Sequence, residues 1–388
     1  ELINTCETSF RTYRLREKGI IKNYKRQDNA LVYVLTAHPT EARTTENIEL
    51  FHRIQDIAVR ILEKTSEEEY LLSVIKHNLK LAWLLPVTKH QKPQVLDEAK
   101  HLFSIILRPD IFDTLIRANR DLGQVRVRTW VGGDKDGHPG VDEKVMLKCL
   151  QCSRDYFQII VKKMMESYQK DISFLNNPRL DEMLKEFYIL LNEIKKIKKD
   201  DSQRVRKLKS YIEKMNKKYE QIVGSSAPRL NKLKSIVELF PGLVIPIELR
   251  EDSEIMANAL ASKKLFAIEK MLLSLKEICG TGNLRCYAQG LIISMCESYD
   301  DVVCAMKLFK KHVGNLSIPI IPLFETAKAL NDSADIVTKM LANKEYSNQI
   351  KKKWDNHLEI MLGYSDSSKG MGVLASRLGI ARTMRSLD

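Results

Sequence analysis

The chain has 388 residues, 44% hydrophobic and 29% charged, with a formal net charge of +13. That is the composition of a globular protein with a large core, and no run approaches the ~20 apolar residues needed to cross a membrane. Seven cysteines, an odd number in scattered apolar contexts, argue against a disulfide framework and for a reducing compartment.

The opening ELINTCETSFRTYRLREKG is polar throughout, so no signal peptide is expected. The first residue is Glu rather than Met, as in a trimmed or excised chain. The first apolar run, LVYVLTA (31–37), reads as a buried strand and stops at a histidine, His38. SEEEYLLSVIKHNLKLAWLL and LFSIILRPDIFDTLIRANRDLG have helical spacing, with Ser66 and Glu69 spaced as a capping box. A second strand-like run, VRVRTWVGG (125–133), leads into Asp134, Lys135 and Asp136. Gly132 to Asp142 holds four glycines in eleven residues, without the GKS or GKT ending of a Walker loop. Such a loop lets backbone amides approach an anion closely.

Cys149 and Cys152 have CxxC spacing but lie in helix-like sequence with no second pair or histidine cluster nearby. Buried thiols are the simpler reading than a metal or redox site. Next comes a basic stretch, 185–218. Met183, Phe187, Leu190, Ile194 and Ile197 recur at helical spacing, as do Leu208, Ile212, Met215, Tyr219 and Ile222 after a polar break at 200–203. The spacing predicts a basic helical hairpin over 181–223, inserted into the main domain, with its lysines on the wet face. A nucleic-acid role for it would rest on charge alone, since no aromatics alternate with the lysines. GSSAPRLN (224–231) is the one candidate flexible break. Four more apolar runs follow: 242–249, 290–295, 318–324 and 358–365.

Six short runs separated by helical sequence predict parallel strands with helical crossovers. The expected fold is α/β and predominantly helical: an incomplete (β/α)8 TIM-type barrel with extra helices. Residues 1–388 would form one partial domain of a larger enzyme. The ends of the runs carry His38, Arg250, Glu325, and Asp366 with Lys369. A βα barrel gathers such carboxyl-terminal ends at its active site. Glu325 and Asp366 would suit Mg2+ or Mn2+, hard ions that take carboxylate oxygens. The plain alternative is that each sits at a helix start as a cap. Arg250 and Lys369 would hold phosphate or carboxylate; the alternative is ion pairing, for Arg250 with Glu251 or Asp252. His38 would move a proton, or simply be held in a turn.

VLTAHPTE (34–41), WVGGDKDGHPGV (130–141), IELREDS (247–253), GLIISM (290–295), PLFET (322–326) and GYSDSSKGMG (363–372) together resemble, in order, the motifs of the phosphoenolpyruvate carboxylase family. The resemblance implies addition of bicarbonate to phosphoenolpyruvate, giving oxaloacetate and phosphate with Mg2+ or Mn2+. It implies metal ligation by Glu325 and Asp366 and catalytic roles for His38, Arg250 and Lys369. Arg43, Gly132, Gly133, Asp134 and Lys135 would contact substrate anions. It also implies a homo-oligomer, a tetramer; a complementing chain is the alternative partner, the location expected is cytoplasmic, no membrane is expected, and nucleic acid is the less favoured partner. Thr44 and Thr45 stand where the family has an arginine pair, and Gly370 where it often has an acid. The sequence stops at MRSLD, before the family's glycine- and arginine-rich loop, with six strand candidates where a closed barrel has eight. A fragment, one half of a split enzyme, and a truncated relative kept for protein or anion binding all remain open at this point.

Overall fold

The computed structural model describes residues 31–36, 44–63, 67–86, 94–122, 125–136 and 140–387. Six strands form one sheet in sequence order, every pair parallel. They are β1 (Leu31–Leu35), β2 (Val125–Thr129), β3 (Ile247–Asp252), β4 (Ala288–Ser294), β5 (Ile320–Phe324) and β6 (Met361–Leu362). Helices fill every crossover. Between β1 and β2 lie α1 (Thr45–Leu62), α2 (Glu68–Leu84), α3 (Val95–Ile106) and α4 (Pro109–Leu122). Between β2 and β3 lie α5 (Glu143–Ser173), α6 (Pro178–Glu193), α7 (Asp201–Val223) and α8 (Pro228–Leu239). Then come α9 (Ser253–Ala261) and α10 (Ala267–Cys279) before β4, and α11 (Tyr299–Val313) before β5. α12 (Ala327–Ala342) and α13 (Lys344–Lys352) precede β6, with α14 (Tyr364–Met371) and α15 (Val373–Leu387) after it. This is an incomplete (β/α) barrel, predominantly helical, as the sequence led one to expect.

The period of two along each strand sorts side chains between two environments. Val125, Val127, Leu249, Leu291, Ile293, Ile320 and Phe324 join the large core beneath the helices. Ile292, Ile321 and Leu323 form a separate cluster on the inner face, with Trp130 and Met361 against it. Inward positions below that cluster are charged. Arg128, 1% exposed, donates to Gln289 Oε1 (2.9 Å), Glu248 Oε1 (2.8 Å) and both oxygens of Glu359 (2.5 and 2.8 Å). Burial works against the Arg128 charge, but the Glu359 and Glu248 carboxylates outweigh it and raise its pKa. An unpaired guanidinium at this depth would be costly, so the four side chains stand or fall together.

Several boundaries differ from the sequence reading, each for a local reason. The third run forms strand only from Ile247, after Pro246. The sixth shortens to Met361–Leu362, because α14 starts at Tyr364. The helix expected across 102–123 breaks in two, with Pro109 opening α4. The first hairpin helix stops at Glu193 instead of reaching Ile197, whose amide donates to Gln151 Oε1 at 2.9 Å. The break at 200–203 is no wet turn: Asp201 and Ser202 are buried. Asp201 accepts from Arg154 (2.7 Å) and Tyr287 (2.6 Å), while Ser202 donates to the Cys279 carbonyl (2.5 Å). These contacts tie α7 to the sheet. Ser66, half of the expected capping box, lies outside the described residues.

Candidate active site

The upper end of the inner face carries the chemistry. Arg250 follows Glu248 in the inward register of β3, as Trp130 follows Arg128 from β2, and the Arg250 guanidinium lies over the Trp130 ring at 5.4 Å. Trp130 is itself fixed, its indole N–H donating to Glu248 Oε2 at 2.7 Å. The loop after β2 then pairs back onto β3. Arg250 N donates to the Gly133 carbonyl and Lys135 N to the Arg250 carbonyl, both at 3.0 Å. This exchange brings Asp136 Oδ2 to 2.8 Å from Arg250 Nη2 and Asp134 Oδ1 to 3.4 Å from Nε. The Nε contact lacks hydrogen-bond geometry, so this shielded N–H has no acceptor among the described residues. The ion pairs of Arg250 are thus with the loop acids, not with Glu251 or Asp252. Burial opposes its charge, and Asp136 and Asp134 more than restore it.

Gly132 and Gly133 have packing reasons to be glycine. A Cβ on Gly133 would sit 2.0 Å from the Glu248 carbonyl oxygen. One on Gly132, whose φ is +85°, would meet Cys149 Cβ at 2.7 Å. Cys149 is the α5 side chain that fills this corner; burial pushes its thiol up to about 12, and Cys152 is also a free thiol. The pair is structural packing on a helix.

Glu325 continues the inward alternation of Ile321 and Leu323 and is 5% exposed. Its Oε1 accepts from Met295 N at 2.8 Å, and Thr326, not Glu325, caps α12. β6 approaches it closely: a Cβ on Gly363 would fall 2.5 Å from Glu325 Cβ. Gly363 is also the residue before α14, so the same crossing delivers Asp366 from that helix's first turn. The Glu325 and Asp366 carboxyls lie close enough to influence each other's charge. Burial raises the Glu325 pKa, Asp366 and Asp136 add to it, and Met295 N–H and Arg250 oppose it. Lys369, 2.8 Å from Asp366 Oδ1, lowers that of Asp366. The two pKa values are thus pushed apart, that of Glu325 upward by burial and that of Asp366 downward by its contact with Lys369. Asp366 therefore does not cap the helix; it reaches Glu325 and Lys369.

His38 and Arg43 lie outside the described residues. Thr44, which follows, caps α1 by accepting from Asn47 N at 3.4 Å. The structure thus brings Arg250, Asp134, Glu325 and Asp366 to one end of the sheet, with Lys369 beside them. Trp130 and the Arg128–Glu248–Glu359 layer below were not foreseen as parts of this site, and Asp136, noted at the end of the second run, had been given no role. The alternation VRVRTW held the signal: Arg126, Arg128 and Trp130 share one face of a strand.

The phosphoenolpyruvate carboxylase family profile matches residues 6–239 and 247–388. The chain belongs to the phosphoenolpyruvate carboxylase family. Similar curated proteins of that name come from Tolumonas auensis (25% identical, 96% of this chain, 51% of the relative), Acinetobacter baylyi (24%, 91%, 49%) and Shewanella sediminis (24%, 88%, 48%). The chain spans about half the length of the phosphoenolpyruvate carboxylases it matches. Among the described residues no helix is long and apolar enough to cross a membrane, and no group of three or more His, Cys, Asp and Glu could hold a metal ion. The two carboxylates Glu325 and Asp366 do fit a hard divalent ion that takes its other ligands from water and substrate, the usual habit of magnesium.

Proposed function

We propose that this chain supplies the substrate-binding half of a phosphoenolpyruvate carboxylase active site, which further strands complete. Residues 1–388 act in this reading as one barrel-plus-helices domain, with 181–223 an inserted basic hairpin. What supports it most is one juxtaposition: a shielded, unpartnered Arg250 N–H at the same strand ends as the Glu325–Asp366 pair. A cationic donor and two acidic oxygens meeting at a barrel mouth suit a phosphorylated anion bound with a divalent ion.

Glu325 and Asp366 would hold Mg2+ or Mn2+, which supplies positive charge to phosphate and enolate oxygens. Arg250 binds a phosphate or bicarbonate oxygen through the N–H that Asp134 leaves free. Bicarbonate oxygen attacks phosphorus as the bond from phosphorus to the enol oxygen breaks, leaving carboxyphosphate and an enolate. His38 takes the carboxyphosphate proton, carbon dioxide and phosphate separate, and the enolate carbon bonds to carbon dioxide to give oxaloacetate. Lys369 offsets anionic charge at the mouth, while Arg43 and Lys135 position the anions; Gly132 and Gly133 let the loop pack against β3 and α5 and so place Lys135. The inner-face layer of Trp130, Ile292, Ile321 and Leu323 forms an apolar floor that keeps water from quenching the enolate.

The enzyme is expected to work in the cytoplasm as a homo-oligomer, replenishing oxaloacetate. The test is bicarbonate-dependent oxaloacetate formation by the intact protein with phosphoenolpyruvate and magnesium. Absence of turnover together with retained binding of phosphoenolpyruvate would instead identify an anion-binding relative.

A further inference from the structure

A second basic cavity lies at the opposite end of the sheet. It has a volume of about 640 Å³ and is walled by the segments that enter β4, β5 and β6. β4 is 7 residues long, which puts this cavity roughly 20 Å from the Arg250 site. Five cations line it, Arg206, Lys276, Arg285, Lys352 and Lys353, against one acid, Asp355. That acid is oversubscribed: its Oδ2 accepts from Arg285 at 2.8 Å and from Arg126 at 2.5 Å. Neither Arg206 nor Lys276 has an ion-pair partner among the described residues.

Cations near helix carboxyl ends commonly offset exposed carbonyls, and that accounts for Lys276 in the last turn of α10 and Lys352 in that of α13. It does not account for Arg206, which lies near the start of α7, or for Arg285. The Arg285 guanidinium is held in place through Nη1 by the Lys353 carbonyl (2.9 Å) and Asp355. Its other nitrogens have no acceptor among the described residues. On the same wall Ser317 Oγ is shielded from solvent and has no hydrogen-bond partner. A fixed arginine, two unpaired cations and an unsatisfied hydroxyl are the parts of a phosphate site. The glycines of the adjoining Gly280–Gly282 loop are explained separately: their Cβ atoms would strike Asp200, just before α7, and Ser202 in its first turn.

We propose that this cavity binds the phosphate group of a small phosphorylated molecule. The cavity is larger than a phosphate alone requires, and Thr281, Asn283 and Asn315 give the remaining wall hydrogen-bonding character, so the molecule's body is polar. The proposal does not depend on the carboxylation reaction.

The test is calorimetric titration with inorganic phosphate and with glycerol 3-phosphate at fixed ionic strength. It uses the Arg250→Ala protein, so that the barrel mouth contributes no arginine. The expected result is saturable binding of glycerol 3-phosphate at one site. Adding Arg206→Ala and Lys276→Ala should weaken it at least tenfold while leaving the melting temperature unchanged, both side chains being exposed. Tighter binding of glycerol 3-phosphate than of inorganic phosphate supports the polar-body reading; equal binding overturns that part. No saturable binding in the Arg250→Ala protein, or binding indifferent to the added substitutions, overturns the site.

Discussion

The Arg250 guanidinium stacks 5.4 Å from the centre of the Trp130 ring and is anchored by Asp136, yet keeps one shielded N–H unpartnered. Stacking and a single strong anchor fix the plane of the fork while leaving donor capacity for an oxyanion. Arg250→Lys keeps the charge but loses the plane. Its kcat/KM for phosphoenolpyruvate should fall roughly 100-fold or more, as when a donor to a reacting oxygen is removed. Circular dichroism should be unchanged. Steady-state kinetics with wild-type values would remove Arg250 from the site.

The Glu325–Asp366 contact makes a metal prediction. Asp366→Asn removes one anionic ligand from a half-exposed position, so magnesium or manganese binding weakens at least tenfold with little change in melting temperature. Glu325→Gln weakens it too. Titration with manganese, followed by its paramagnetic signal, reads the affinity directly; unchanged affinity in both variants would place the ion elsewhere.

Below the site, Arg128 neutralises Glu248 and Glu359 in one buried layer. Arg128→Met leaves two carboxylates facing an apolar side chain and should cost about 3–5 kcal/mol. Urea denaturation at pH 7 checks this. A loss below about 1 kcal/mol would mean that water reaches the layer and solvates the acids.

Glu251 is 2% exposed, and burial pushes its carboxyl up to about 7. The unfolded chain holds this proton less tightly, so the folded state binds more protons between the two pKa values. The contribution of Glu251 to stability is therefore most favourable below the unfolded value and is lost as pH rises through about 7. Glu251→Gln should be nearly neutral at pH 4.5 and stabilising at pH 8, by at most about 3 kcal/mol. Denaturation midpoints at the two pH values test the sign; an equal effect at both would show that the carboxyl stays ionised.

Much of this architecture was legible from the alternation of short Val- and Ile-rich runs with helical spacing, because a strand buried on both faces needs such a run. The strand ends carrying Arg250, Glu325 and Asp366 could be named for the same reason. What stayed hidden were long-range pairings. Asp201 read only as part of a polar break between helices, since nothing local announces Arg154 or Tyr287 as its partners. The only acids the sequence offered Arg250 as ion-pair alternatives were the adjacent Glu251 and Asp252, whereas the loop after β2 supplies Asp134 and Asp136 from more than a hundred positions away. The glycines at 132 and 133 suggested room for an anion; the structure shows a strand and a helix already pressed against them. Each of these depends on which strands become neighbours, and local sequence does not encode that.

The most direct measurement is of carbon transfer itself. Intact protein is incubated with phosphoenolpyruvate, magnesium and ¹³C-bicarbonate, and oxaloacetate is trapped by reduction to malate. Labelled malate, formed one-for-one with inorganic phosphate and abolished by Arg250→Gln, is the predicted result. No labelled malate from folded protein, or label incorporation that Arg250→Gln leaves intact, would contradict the proposed function.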